Sequence, residues 1–482
     1  MLNVKFIEII KTFSKEEFKA FGLFLNSPYY NSEKLPLKLY DLLKKNYPSF
    51  SSKNFNKEEI FRKLYPDKGF NDKLLRNIFS DMLKLTEMFL LSEIYSSDDL
   101  KSRILLMNDY SKRKIESLYK KNLEKAEALL NNTEIKDLEY YKYKLELEKS
   151  KRAHDIMYRD VYIDQSNRDQ EISDLVTVNS LLEIMYRNLH MINNQKKHNY
   201  NYRLNFEDEI DTFLNNIGSR YLELDHIKYL YYTFKLLRSQ DEKFYFLLKD
   251  FAKKDFDKLP RDVKRDIYIS LTNYCYIRIS KGDDMYIKEL FLNNREMVEK
   301  DLFTTAAGNI PNVFFMNIVT TGLEMNESEW VENFIEEDGK KLKDDSKEDT
   351  LSFCRANLCY YKGEYSKAFS YLSKVTTDDM TYKHNVRSLT LKLYFDTNEI
   401  EPFLFHIDSY RHFISGNKLV FEKIKDSINN YVNYSKRIFC IKNKIGKADL
   451  DDLPVLKNEI IECTPLINRP WLLRKLSEIE KL

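Results

Sequence analysis

The side chains best suited to metal or nucleophile chemistry are seven histidines and five cysteines, and their spacing argues against both roles. His154, His190, His198, His226, His384, His406 and His412 include no two residues three or four apart, the interval that would put two imidazoles on one face of a helix. Cys354 and Cys359 lie five apart with no histidine nearby, while Cys275, Cys440 and Cys463 are scattered. No glycine-rich phosphate loop, nucleophile-elbow motif or His-Glu-x-x-His pair occurs. Acidic runs such as Glu336-Glu337-Asp338 and Asp344-Asp345 fall in charge-rich stretches, where nothing would raise a carboxyl pKa for general-acid work. The chain is therefore expected to be no enzyme, with no catalytic residue, metal or cofactor.

Binding chemistry is better represented. Between residues 38 and 84 eleven basic side chains face six acidic ones. A short helix capped by Asn56, a break at Pro66-Asp67-Lys68-Gly69 and a longer helix capped by Asn71 would place Lys73, Arg76 and Asn77 where a helix-turn-helix contacts DNA. The break, Tyr65 to Asn71, is longer than such a motif prefers, so lysine on the wet face of a helical bundle is the simpler reading. Tyrosine interleaved with lysine, as in residues 140–144 and 199–203, suits single-stranded RNA. Tyrosines in a helical array more often fill gaps between hairpins and send their hydroxyls to water or backbone.

The elements that would position any site are helices. Ten glycines and ten prolines in 482 residues leave little material for tight turns, and the expected class is all-α. Ser14 to Glu17 forms a capping box ahead of Phe18, Phe21 and Leu25. Long charged helices are expected over Leu100–Asn131, Glu134–Tyr158 and Glu171–Asn194, with a loop at Tyr162–Arg168 and an exposed connection at Lys196–Arg203. Further on, short hinges recur: Gln240-Asp241-Glu242, Lys281-Gly282-Asp283, Met325-Asn326-Glu327, Lys362-Gly363-Glu364 and the weaker Thr397-Asn398-Glu399. From Glu242 the steps are 41, 44, 37 and 35 residues, which marks stacked helical hairpins.

In the best-formed unit Ala356, Leu358 and Tyr361 precede the turn Lys362-Gly363-Glu364-Tyr365, and Ala368, Phe369, Tyr371 and Leu372 follow it. This unit resembles the tetratricopeptide consensus, and the array as a whole is tetratricopeptide-like. The wider layout carries Phe24 to Asn31, Asn71 to Arg76 at the start of a long helix, and Trp471 near the end. It looks like a family of uncharacterised bacterial helical-repeat proteins found in Bacteroidetes, a resemblance that implies no activity.

These readings divide the chain into an N-terminal helical module (1–97), a long-helix middle region (98–222), a tetratricopeptide-like α-solenoid of hairpins (223–415) and a C-terminal helical cap (416–482). Lys plus Arg number 78 against 76 Asp plus Glu, so no global field favours nucleic acid or an anionic membrane. Locally, residues 324–349 carry eleven acidic and four basic groups, and 417–447 eight basic and two acidic. No apolar stretch is long enough to span a bilayer, and Lys5, Glu8 and Lys11 interrupt any secretory signal, so cytoplasmic residence with reduced thiols is expected.

The expected role is a scaffold or adaptor whose concave face binds a protein or peptide, with no membrane contact and with oligomeric state left open. The candidate partner-binding residues lie on first helices: Asn273, Tyr276, Asn312, Asn317, Arg355, Asn357, Arg387 and Lys392. The alternative is a regulator that contacts nucleic acid through Lys73, Arg76 and Asn77.

Overall fold

A computed structural model describes residues 4–50, 56–158, 166–198, 200–254, 259–305, 307–376, 379–416, 422–445 and 453–481. Among them are twenty-three α-helices and no strand, and sequential helix pairs pack together as a helical array. The chain folds into two compact units, Met1–Val176 and Thr177–Leu482. No helix among the described residues is long and apolar enough to cross a membrane.

The first unit opens with α1 (Lys5–Ile10), α2 (Lys15–Leu25), α3 (Lys34–Lys44), α4 (Lys57–Leu64) and α5 (Asp72–Ser97). The capping box forms: Ser14 Oγ accepts from the Glu17 amide at 3.0 Å, and Glu17 accepts from the Ser14 amide at 2.6 Å. Asn56 and Asn71 cap α4 and α5 through their side-chain oxygens, which accept from the Glu59 (2.9 Å) and Leu74 (3.1 Å) amides. Satisfying an otherwise orphan amide at each start fixes where these helices begin. Their apolar faces then meet in an aromatic core of Phe6, Phe13, Phe18, Phe21, Phe61, Phe79 and Phe89.

The expected single helix over Leu100–Asn131 is two helices, α6 (Asp99–Lys112) and α7 (Glu116–Asn131), folded against each other. Lys114 takes a left-handed conformation (φ 61°), and the Ile115 amide returns to the Tyr110 carbonyl at 3.0 Å. No glycine or proline marks this break. It is stabilised by what the fold-back buries, since Ile104 and Met107 pack with Tyr119, Ala126 and Leu130 against Leu147 of α8 (Leu138–Tyr158). The expected loop at Tyr162–Arg168 lies mostly outside the described residues, and α9 (Ser166–His198) extends further both ways than its sequence pattern suggested.

After α10 (Glu207–Asn215), the second unit contains five hairpins. They are α11 (Asp225–Ser239) with α12 (Glu242–Lys254), α13 (Arg261–Ser280) with α14 (Met285–Glu299), α15 (Asn312–Glu324) with α16 (Ser328–Asp338), α17 (Lys347–Tyr361) with α18 (Tyr365–Leu372), and α19 (Met380–Asp396) with α20 (Ile400–Ser415). Every hinge contains one left-handed residue: Gln240 (φ 53°), Gly282 (96°), Asn326 (60°), Gly363 (76°) and Asn398 (59°). In the last four, the following acidic residue sends its amide to the carbonyl five positions back, as Asp283 to Arg278 (3.1 Å) and Glu364 to Cys359 (2.9 Å). This closure satisfies carbonyls that the ending helix would leave bare, and glycine or asparagine adopts it at least cost.

Tyrosines do fill the gaps between helices; some hydroxyls go to backbone, as Tyr274 to the Gln240 carbonyl (3.3 Å), and others to carboxylates. Tyr245 donates to Glu289 (2.7 Å), Tyr286 to Glu242 (2.6 Å) and Tyr360 to Asp396 (2.6 Å), each bond joining one hairpin to the next. A neutral hydroxyl held by an ionised acceptor makes a strong, directional tie, so each contact fixes the height of one hairpin against its neighbour.

The chain ends in α21 (Glu422–Lys442), α22 (Leu453–Glu462) and α23 (Arg469–Ile479). Trp471, Leu472, Leu476 and Ile479 share a core with α19–α22. This last helix covers more than the end of the array. Trp471 Nε1 donates to the Tyr360 hydroxyl on α17 (2.9 Å), Asn468 bonds Ser388 on α19 (3.2 Å), Lys475 pairs with Asp396 (2.7 Å), and Arg469 lies against Gly282 in the hinge between α13 and α14. A Cβ at Gly282 would fall 2.6 Å from Arg469 Nη1, so only glycine fits that hinge.

Candidate inner-face binding site

Counting back from the left-handed hinge residues gives a common register for the first helices. Six positions before each lie Phe234, Tyr276, Thr320, Asn357 and Lys392. Equivalent heights meet in space: Asn357 Nδ2 donates to Thr320 Oγ1 at 3.2 Å across neighbouring hairpins. First helices pack side by side for α11 with α13, α15 with α17, and α17 with α19. Rows of this kind present side chains from successive hairpins to one surface.

Tyr276 keeps 38 % of its area open to water, yet surrounding protein pushes its hydroxyl pKa up, burial being the chief cause. Tyr361 is only partly buried, and its pKa is pushed to about 12 by burial first and then by Glu324. Glu324 is also partly accessible, and burial raises its carboxyl pKa against the pull of Lys392 and Arg474. Lys392 lies deeper, 8 % exposed, with Nζ donating to Asn468 Oδ1 at 2.9 Å and burial lowering its pKa to about 8. Arg474 of α23 is exposed, 5.9 Å from the Tyr361 ring.

Nearer the start of the second unit, α9, α11 and α13 enclose a pocket of about 230 Å³ lined by Tyr186, His190, Tyr229, Thr233, Asp266 and Ser270. Burial and then Asp262 raise the Asp266 pKa, with Arg265 opposing. An apolar hollow of about 200 Å³ adjoins it, sharing Ile269 and lined also by Phe303, Phe314 and Asn317. Both open beside the same first helices.

The residues expected from sequence to bind a partner fall into two groups. Asn273 and Tyr276 are exposed, Arg355 is partly so, and Asn317 lines the apolar hollow. The others hold neighbouring residues: Asn312 bonds Ser346 (2.6 Å), Asn357 bonds Thr320, Arg387 bonds Ser409 (3.2 Å) and lies 4.6 Å over Phe413, and Lys392 bonds Asn468. Sequence reasoning missed Glu324, Tyr361 as a lining residue, and Arg474. The first two each stand two positions before a left-handed hinge residue, a signal present in the sequence; Arg474 has none, because only the fold brings α23 against the first helices.

On the first unit, Lys73, Arg76 and Asn77 are exposed on the first two turns of α5. Asp72 binds Arg76 (Nε to Oδ2 2.9 Å) and Lys57 (3.2 Å), so part of this positive charge is already neutralised. Among the described residues no group of three or more His, Cys, Asp and Glu could hold a metal ion. The cysteines are free; Cys275 is fully buried, and burial pushes its thiol pKa up to about 12, away from nucleophilic use. No protein-family model matches the chain, and comparison with curated proteins and with solved structures finds no match either.

Proposed function

We propose that the second unit is a tetratricopeptide-like α-solenoid, preceded by an N-terminal helical module and long helices, and that it acts as a non-catalytic scaffold or adaptor binding a segment of another protein on its concave face. The observation that carries this reading is the common register of the first helices, with Asn273, Tyr276 and Asp266 open to water on α13 beside pockets of about 230 and 200 Å³. An array fixed by five left-handed hinges and by tyrosine–carboxylate ties offers these groups preformed, so a partner segment loses its own entropy but costs the array little.

Affinity capture from the host lysate, with and without nuclease, tests the proposal when wild type is compared with a Tyr276→Ala, Arg355→Ala double variant. The expected result is a defined protein partner that survives nuclease and is lost with the double variant. Partners that vanish on nuclease treatment, or that depend on Lys73 and Arg76 instead, would overturn it.

A further inference from the structure

The described lining of the 230 Å³ pocket between α9, α11 and α13 holds one carboxylate, Asp266, and no lysine or arginine. Among the described residues that carboxylate accepts no hydrogen bond and forms no ion pair within 4.0 Å. Arg265 acts on it only through space and lines the adjoining apolar hollow instead, while Asp262, one turn earlier on the same face of α13, adds to the negative field. Elsewhere in the array Glu242, Glu289 and Asp396 each hold a tyrosine hydroxyl. Asp266 holds none, although Tyr186 and Tyr229 line the same pocket. The nearby hydroxyls are already spent as donors: Thr233 Oγ1 donates to the Tyr229 carbonyl (2.7 Å) and Ser270 Oγ to the Asp266 carbonyl (2.8 Å), so each has only lone pairs left to offer.

An unpaired carboxylate, spare hydroxyl lone pairs and two tyrosine rings suit a cation rich in N–H donors. An anion would meet Asp266 with no cation in the lining to offset it, and an apolar group would strip water from the carboxylate and give nothing back. The volume is below the roughly 300–1,000 Å³ of pockets that take drug-sized ligands, which favours a single side chain over a cofactor. We propose that this pocket receives a lysine or arginine side chain of the segment docked on the array, its ammonium or guanidinium on Asp266 and against the tyrosine rings. The adjoining hollow, which shares Ile269 and is lined by Phe303 and Phe314, takes an apolar side chain beside it. The inference rests on the scaffold reading and adds the chemistry of its partner.

Selection of random heptapeptides displayed on phage against the immobilised full chain, followed by titration of the best peptide in solution, tests this inference. The selected peptides should share a lysine or arginine at one fixed position with an apolar residue beside it. Asp266→Asn should weaken the best peptide by about tenfold or more, the usual worth of a charge-assisted hydrogen bond. Replacing the peptide's basic residue by norleucine should cost as much in wild type and nothing further in Asp266→Asn, a coupling that general damage to the fold would not produce. Selection against Asp266→Lys should exchange the basic residue for an acidic one. Peptides without a fixed basic residue, or with one indifferent to the Asp266 variants, overturn the pocket assignment and leave the scaffold reading standing; failure to select any peptide overturns both.

Discussion

Among the described residues from 4 to 97, the buried polar side chains reduce to Thr86, and the core is phenylalanine packed on phenylalanine, as Phe6 on Phe79 (5.5 Å) and Phe21 on Phe89 (5.3 Å). Its cations stay outside: Lys73 and Arg76 are exposed, and Arg76 is paired within its own helix. The second unit is built from the same residue types, yet it buries Lys392, Lys475 and Arg469 and turns tyrosine hydroxyls inward onto carboxylates. Burying an ion costs several kcal/mol (about) before its partners repay it, and hydrocarbon of equal volume would do as well for stability alone. A chain able to make the first kind of core has kept buried ions elsewhere, at Glu148 and Asp155 as well as in the second unit, and the proposed binding role is assigned to the second unit because there the buried ions are lysine and arginine.

The contrast is sharpened most by a substitution expected to affect stability alone. Phe21→Ala empties a fully buried site in the N-terminal core and should lower unfolding stability by about 3–5 kcal/mol in a denaturant titration, with partner capture unchanged in the folded fraction. Lost capture at full folding would blur the distinction between the two regions.

Lys392→Met should act in the opposite sense. Its folded pKa of about 8 lies below the ordinary 10.5, so at lower pH folding must charge a buried ammonium that the unfolded chain charges freely. Lys392 therefore weakens the fold below about pH 8, and the penalty fades as pH rises from there to 10.5. The methionine variant should be more stable than wild type by about 3 kcal/mol at neutral pH, with the gain vanishing near pH 10.5, measured by parallel denaturant titrations. A gain independent of pH would mean that packing, and not charge, sets the difference.

Gly282→Ala, strained at φ 96° and brought against Arg469, should cost about 2 kcal/mol, while Gly69→Ala, with nothing within 4 Å, should stay within about 0.5 kcal/mol. Equal effects would deny that α23 bears on the hinge between α13 and α14. Smallest of all, Arg76→Ala should change stability by less than about 0.5 kcal/mol, its partner being a surface carboxylate, and should leave partner capture unchanged.

How much of this was legible in sequence follows from how local each cause is. The capping box at Ser14, the caps at Asn56 and Asn71 and the hinges were readable because each is set by residues within five positions. The break at Lys114 was not, since no turn residue marks it and its cause is contact with distant α8. The candidate site was legible only in part. Tyr276 was readable as a first-helix residue, but the tie of Lys392 to Asn468 and the nearness of Arg474 to Tyr361 depend on the end of the chain, 76 residues beyond Lys392 and 113 beyond Tyr361. Asn357, read as a partner contact, also links two hairpins at one height, a tie that depends on the neighbouring hairpin.

Site-resolved photocrosslinking in the native host tests the central claim most directly. A photoreactive amino acid placed singly at Tyr276, Arg355 or Tyr361 on the first helices is compared with one at Phe246 or Phe405, exposed on the second helices α12 and α20. The account predicts one protein crosslinked from the first-helix positions and none from Phe246 or Phe405; the same adduct from Phe246 or Phe405, with none from Tyr276 and Tyr361, would contradict it.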